Sequence, residues 1–235
     1  MTSGGGPEGQ GGGKITAESG AEPARAVVDA IREAIAAGEF APNQRLVEAD
    51  LSAEFDASRS AVRNALMQLA AEGLVERVAN RGARVRAISL AEAIEIAEVR
   101  MALEGLCAAK AAERVTDADR DRLRGIATAM REAVATGDLL GYSALNTELH
   151  GLIRTISGQG TATAILERLR TQNVRHQFRL AMHPGRPSVS LPQHLEIIDA
   201  LCAGDPEAAE AAVRRHLRSV IDVLPEVEVA RTRHA

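Results

Sequence analysis

Aromatic side chains are nearly missing from this chain, which has no Trp, one Tyr and three Phe in 235 residues. Any core must therefore be filled by Leu, Ile, Val and Ala, a set that suits helix-on-helix packing. Cysteine is almost as scarce. Cys107 and Cys202 lie in apolar, helix-like runs and read as small buried hydrophobes rather than a disulfide pair, which fits a reducing cytosol. No apolar run approaches the roughly 18 residues of a membrane span, and the N-terminus has no signal-type apolar core, so a cytoplasmic protein without membrane contact is expected. With 46% hydrophobic residues, a chain of this length has room for two cored domains.

The informative stretch runs from Glu48 to about Arg86. Glu48 to Phe55 has helical spacing, Asp56-Ala57-Ser58 breaks it, and a second helix is expected from Arg59 to Glu72, with Ser58 as its cap and Gly73 as its stop. Val62, Ala65, Leu66 and Leu69 fall on the face that seeks a core. Ser60, Arg63 and Asn64 fall on the other, with Arg59 near the start, which is the pattern of a helix that enters a DNA major groove. Leu74 to Val78 and Ala83 to Ile88 read as a hairpin with Asn80-Arg81-Gly82 at its tip. From Ser58 to Arg86 there are six Arg and two Glu, a charge of +4 in a chain whose total is −4. Positive charge is concentrated where DNA would sit.

Phe40-Ala41-Pro42, Arg45-Leu46, Glu48, Leu51-Ser52, Ser58-Arg59, Val62-Arg63, Ala65-Leu66, Leu69, Glu72-Gly73-Leu74-Val75 and Asn80-Arg81-Gly82 resemble the winged helix-turn-helix of the GntR family of bacterial transcription regulators. The resemblance implies that Arg59 and Arg63 read or clamp the operator, beside Ser58, Ser60 and Asn64. It further implies that Arg45 touches phosphate and that Arg81 and Gly82 carry the wing into the minor groove. Ser60-Ala61 departs from the Thr-Pro common in the family, and Asn64 stands where Glu is common.

The remainder reads as helical. Residues 1–22 are a Gly-, Ser- and Glu-rich tail expected to be disordered, and a helix from Ala24 to Ala37 closes the winged domain, taken as 23–88. A bundle of six helices is expected over 89–225: Ser89 to Arg114, Thr116 to Ala135, Asp138 to Ile156, Thr161 to Met182, Leu191 to Ala203 and Pro206 to Leu224. A polar tail, 226–235, follows. The fold class is thus mainly α, a winged helix-turn-helix followed by an all-helical bundle.

Three histidines sit on or beside the apolar stripes of that bundle: His150, His194 and His216. Asn146 precedes His150 by one turn, so one amide oxygen and three imidazoles could form a shell for a divalent metal, zinc first, with nickel or manganese as alternatives. Arg100 lies at the edge of a buried stripe, where it could bind a small organic acid, snorkel, or pair with a Glu.

Glu98-Val99-Arg100, Leu103-Glu104, Leu149-His150, His194, Ile198, Ala200-Leu201, Gly204-Asp205 and His216-Leu217 resemble the FCD ligand-binding domain of FadR-like regulators, in its six-helix, VanR-like form. That resemblance implies a metal held by Asp and three His, the Asp being replaced here by Asn146. It also implies a carboxylate effector near Arg100. The function expected is a homodimeric, non-enzymatic transcription regulator, a repressor, whose affinity for operator DNA is controlled by a small carboxylate. A constitutive DNA-binding dimer and a metal-dependent hydrolase joined to a DNA-binding module are the alternatives; for the latter, Glu148 is the nearest general base and points off the ligand face.

Overall fold

Ser58 is extended, and its hydroxyl accepts the Ala61 amide at 3.2 Å, so the helix of the DNA module starts at Arg59 as the sequence predicts. The computed structural model describes residues 21–78, 82–172, 180, 183 and 185–232. The DNA module comprises α1 (Ala21–Ala37), β1 (Arg45–Leu46), α2 (Glu48–Glu54), α3 (Arg59–Ala71), β2 (Val75–Val78) and β3 (Gly82–Val85). The three strands are antiparallel in the order β1-β3-β2, with Leu46 opposite Ala83 and Val78 opposite Gly82. β1 is absent from the sequence reading because two residues carry no period. Ile31, Leu46, Leu51, Val62, Leu66 and Leu69 form one buried cluster from all these layers. Of the expected N-terminal tail, residues 1–20 lie outside the described residues, while Ala21 and Glu22 already belong to α1.

The second unit contains α4 (Leu90–Ala112), α5 (Asp117–Thr136), α6 (Leu139–Ser157), α7 (Gly160–Gln172), α8 (Arg186–Ala203) and α9 (Pro206–Thr232). Thr116 and Asp119 form a reciprocal capping box at the start of α5. At α4 only half of the expected box forms. Ser89 accepts the Glu92 amide, but the Glu92 carboxylate is taken by Arg86. Leu123, Met130, Leu149, Ile197, Leu201 and Leu217 are fully buried at the centre of the bundle, and Cys107 is buried among them while Cys202 is half-buried, both as free thiols.

Two limits of bundle helices differ from expectation by a full turn or more. α8 begins at Arg186 rather than Leu191, because Gly185 supplies a left-handed turn and Pro187 falls within the first helical turn, where its missing amide hydrogen costs nothing. α9 runs through Pro225 to Thr232, so the stretch read as a polar tail continues the helix; a proline removes one amide hydrogen but leaves the residues after it free to keep helical dihedrals. The expected end of the fourth bundle helix at Met182 falls on residues outside those described. No described helix is long and apolar enough to cross a membrane.

Candidate metal centre and nucleic-acid interface

On the DNA module, Arg45, Arg59, Arg63, Arg77 and Gly82 line one groove between α3 and the strands. Ser58 and Ser60 stand at its α3 end with their hydroxyls 2.9 Å apart, and Arg59 and Arg63 are exposed. Gly82 has a φ of +87°, and a Cβ there would lie 2.7 Å from the Leu46 carbonyl, so the wing needs glycine to close on β1. Asn64 is exposed but opens onto a separate groove beside α1, with Arg25 and Arg32. Arg81 lies outside the described residues. The cationic surplus is smaller than a count from Ser58 to Arg86 suggests, because acids outside that window return to it. Arg63 donates to Glu48 at 2.8 and 3.1 Å, Arg86 pairs with Glu92, and within the window Arg84 meets Glu76 at 2.7 Å. Hydrogen bonding from Arg63 holds the Glu48 carboxyl below its usual range despite slight desolvation.

In the bundle, α6, α8 and α9 bring His150, His194 and His216 together, with one candidate ligand nitrogen of each within 4.8 Å of the other two. The ring centroids of His194 and His216 are 4.4 Å apart, and His150 is 5.8 and 5.7 Å from them. Each ring has its Nδ1 occupied from behind. Glu104 Oε2 lies 2.8 Å from His150 Nδ1, the Tyr142 hydroxyl 2.8 Å from His194 Nδ1, and Gln193 Oε1 3.0 Å from His216 Nδ1. Such partners fix ring orientation and leave Nε2 for a ligand, as in metal sites generally. His150 donates to Glu104 when its ring proton sits on Nδ1, the tautomer that an Nε2 ligand requires.

Around the cavity, four buried side-chain atoms have no hydrogen-bond partner among the described residues: Glu104 Oε2, which lies at ion-pair distance from His150, Arg186 Nη2, and two that face the histidine cluster without any charged partner. His194 Nε2 and Asn146 Oδ1 are buried and have no hydrogen-bond partner among the described residues. A buried polar atom without a partner costs about 1–3 kcal/mol, and a cation placed between these two would satisfy both. Burial pushes the His194 imidazole down to about 3, helped by His150 and Arg186, and burial likewise holds His216 well below its ordinary value. Both rings are therefore neutral near pH 7, the form that binds metal. Tyr142 is raised by burial and stays a neutral hydroxyl. Three imidazoles and one amide oxygen are a donor set suited to a borderline divalent ion such as zinc.

These side chains line a cavity of about 90 Å³, together with Arg100, Ser143, Arg186, Ser190 and several apolar residues. Arg100 reaches it but is already paired, its Nη2 2.8 Å and its Nε 2.9 Å from Glu104 Oε1. Burial alone would raise the Glu104 carboxyl; Arg100 and His150 outweigh it and hold the group below the usual carboxylate range. Arg186 is not legible as a site residue, since the sequence places it before a helix expected to start at Leu191. Tyr142 and Gln193 are not legible for a related reason: each meets its histidine through the fold, with no local spacing to announce it; Glu104 has the one-turn spacing to Arg100, but its contact with His150 comes from the fold alone. His183 is half-buried and does not line the cavity; Arg175 and His176 lie outside the described residues. Glu148 faces solvent and pairs with Arg122 at 3.0 Å, away from the histidines.

Comparison with known proteins follows this division of the chain. The model described as "Bacterial regulatory proteins, gntR family" matches residues 23–85, and the FCD domain model matches residues 95–219. The HTH-type transcriptional repressor RspR of Escherichia coli K12 is 29% identical over 188 residues, covering 80% of this chain and 82% of that protein. The HTH-type transcriptional regulator LutR of Bacillus subtilis 168 is 30% identical over 216 residues, covering 80% and 94%. Among solved structures, E. coli McbR/YncC superposes with a TM-score of 0.73 at 20% identity, over 87% of this chain and 97% of that one, and so supports the fold alone. A GntR regulator from Rhodococcus sp. RHA1 gives a TM-score of 0.66 at 25% identity over 89% and 99%.

Proposed function

The chain belongs to the gntR family of bacterial regulatory proteins and carries an FCD domain, and on that premise we propose that it represses transcription as a homodimer whose grip on operator DNA is controlled by a divalent metal and a small carboxylate in the three-histidine cavity. As in its families, its work is regulation rather than catalysis. Arg59, Arg63 and Arg45 would face the duplex from the groove, with Ser58 and Ser60 at its α3 end, the Arg81-Gly82 wing beside, and Asn64 contributing from the neighbouring groove along α1. Val99 and Leu106, exposed and seven residues apart on α4, offer an apolar strip to a second copy. Paired modules would then meet half-sites about one helical turn apart.

The observation that carries the metal reading is the pair of stranded atoms, Asn146 Oδ1 and His194 Nε2, buried beside His150 and His216. Asn146, His150, His194 and His216 would hold the ion, which supplies a Lewis-acidic seat for a carboxylate. An effector that binds one spacing of the DNA modules better than another shifts operator affinity by that difference. The test is metal analysis of the purified protein with zinc titration followed by melting temperature. About one ion per chain and a zinc-dependent rise in melting temperature are expected. His194→Ala should abolish the rise, and Asn146→Asp, by replacing a neutral donor with a charged one, should tighten zinc about tenfold or more. A protein that neither retains nor responds to metal would leave a constitutive DNA-binding dimer as the better reading.

A further inference from the structure

Among the described residues, the cavity contains a buried cation without a counter-ion. Arg186 opens α8 and is 7% exposed. Its Nη1 donates to the Ser219 hydroxyl at 2.8 Å and to the Ser219 carbonyl at 3.2 Å, both uncharged. Its Nη2 is buried and has no hydrogen-bond partner among the described residues. Arg100, the other cavity arginine, is neutralised by Glu104. No Asp or Glu is among the described residues lining the cavity. The segment from 173 to 185, which adjoins it through Leu180, contains no acidic residue in its sequence either.

An unpaired charge is among the most expensive things a protein can bury, and it persists where something else supplies the opposite sign. The donor set next to it deepens the imbalance. Three neutral imidazoles and the Asn146 amide contribute no negative charge, so a bound divalent ion keeps its full +2. With Arg186 the cavity then carries +3. One carboxylate would leave two charges uncompensated.

We infer that Arg186 is the anion-recognising residue of this cavity and that the effector is a compact dianion, one acidic group at the histidine cluster and the other on Arg186 Nη2. The inference rests on the metal-and-carboxylate reading of the same cavity, and adds to it the residue and the charge class. A volume of about 90 Å³ is well below the roughly 300–1,000 Å³ of pockets for drug-sized ligands, which restricts the dianion to a few carbons. The planar fork of an arginine suits a carboxylate or a phosphoryl group equally well, so the two must be separated by experiment.

Full-length zinc-loaded protein is titrated calorimetrically with succinate, with butyrate, which has the same four carbons and one carboxylate, and with inorganic phosphate. Succinate is expected to bind about tenfold or more tightly than butyrate. Arg186→Met should bring succinate to the butyrate level, and Arg186→Lys, which keeps the charge but not the fork, should retain part of the preference. Ligand-free Arg186→Met should melt no lower than wild type, and should bind zinc more tightly because a neighbouring cation is gone; a purely structural arginine would give neither result. Phosphate binding that is lost in Arg186→Met would support the dianion with a phosphoryl headgroup. Equal binding of succinate and butyrate by wild type, no binding of any probe, or undiminished succinate binding by Arg186→Met would overturn the inference. Failure to bind zinc would instead strike the metal centre, and the same probes on metal-free protein would still decide the role of Arg186.

Discussion

Glu48 occupies the first turn of α2 and holds Arg63, an arginine on the exposed face of the recognition helix, by hydrogen bonds of 2.8 and 3.1 Å. In the groove proposed to face DNA, a carboxylate would repel phosphate and occupy a guanidinium that would otherwise reach it. Glu48→Gln should therefore raise operator affinity severalfold at low salt, with a smaller gain as salt screens the charges, and should leave stability nearly unchanged because the pair is exposed. Fluorescence anisotropy across a salt series measures it. Weaker binding by Glu48→Gln would mean that the carboxylate steers Arg63 into its reading position. The sequence showed both residues but not their pairing, since they are fifteen apart and joined only by the packing of α2 on α3. The candidate metal ligands are more legible. Asn146 and His150 are one helical turn apart on α6, and a period of four is visible in a bare sequence. His194 and His216 announced themselves as polar residues on or beside apolar stripes, which is costly without a partner.

Helices that carry caps were placed to within a few residues, because Ser58, Ser89, Thr116 and Asp138 act through neighbours three residues away. The start of α8 was missed because its signals are Gly185 and Pro187 rather than a capping hydroxyl, and Pro192 further in reads as a breaker although the helix tolerates it. With that start went Arg186. The winged sheet depends on a closer constraint. Gly82 combines a φ of +87° with a 2.7 Å approach of its missing Cβ to the Leu46 carbonyl, so Gly82→Ala meets backbone strain and a backbone clash together. A cost of about 1–3 kcal/mol is expected from the conformation alone. It should appear as a lower urea midpoint for the DNA module and weaker operator binding, with zinc binding in the bundle unchanged. Unchanged urea behaviour would show that β3 can move away from β1 without loss.

Besides the Arg86–Glu92 pair, DNA module and bundle meet at a polar contact on the end of α3. Gln172, the last residue of α7, donates from Nε2 to the Glu72 carbonyl at 2.7 Å, at the C-terminal cap of α3, and its side chain covers Gly73 where a Cβ would collide. The Glu72 carboxylate is held from the other side by Arg32 of α1, with both oxygens 3.0 Å from Nη2. The end of the recognition helix is thus clamped between its own domain and the bundle. In sequence, Gln172 precedes Arg186 of the cavity by fourteen residues. A displacement of the bundle reaches the end of α3 through this contact while the hydrogen bond exists. Gln172→Ala should leave zinc and succinate affinities near wild type, since neither α7 terminus nor Glu72 lines the cavity. Operator affinity measured with and without zinc and succinate should, however, show a ligand-dependent change cut to less than about half that of wild type, the coupling free energy being what the clamp carries. Gly73→Ala, which meets both a φ of +77° and the Gln172 side chain, should reduce the response in the same direction. A full response in Gln172→Ala would place the coupling in the dimer interface, where changed spacing between two rigid chains needs no contact at Glu72.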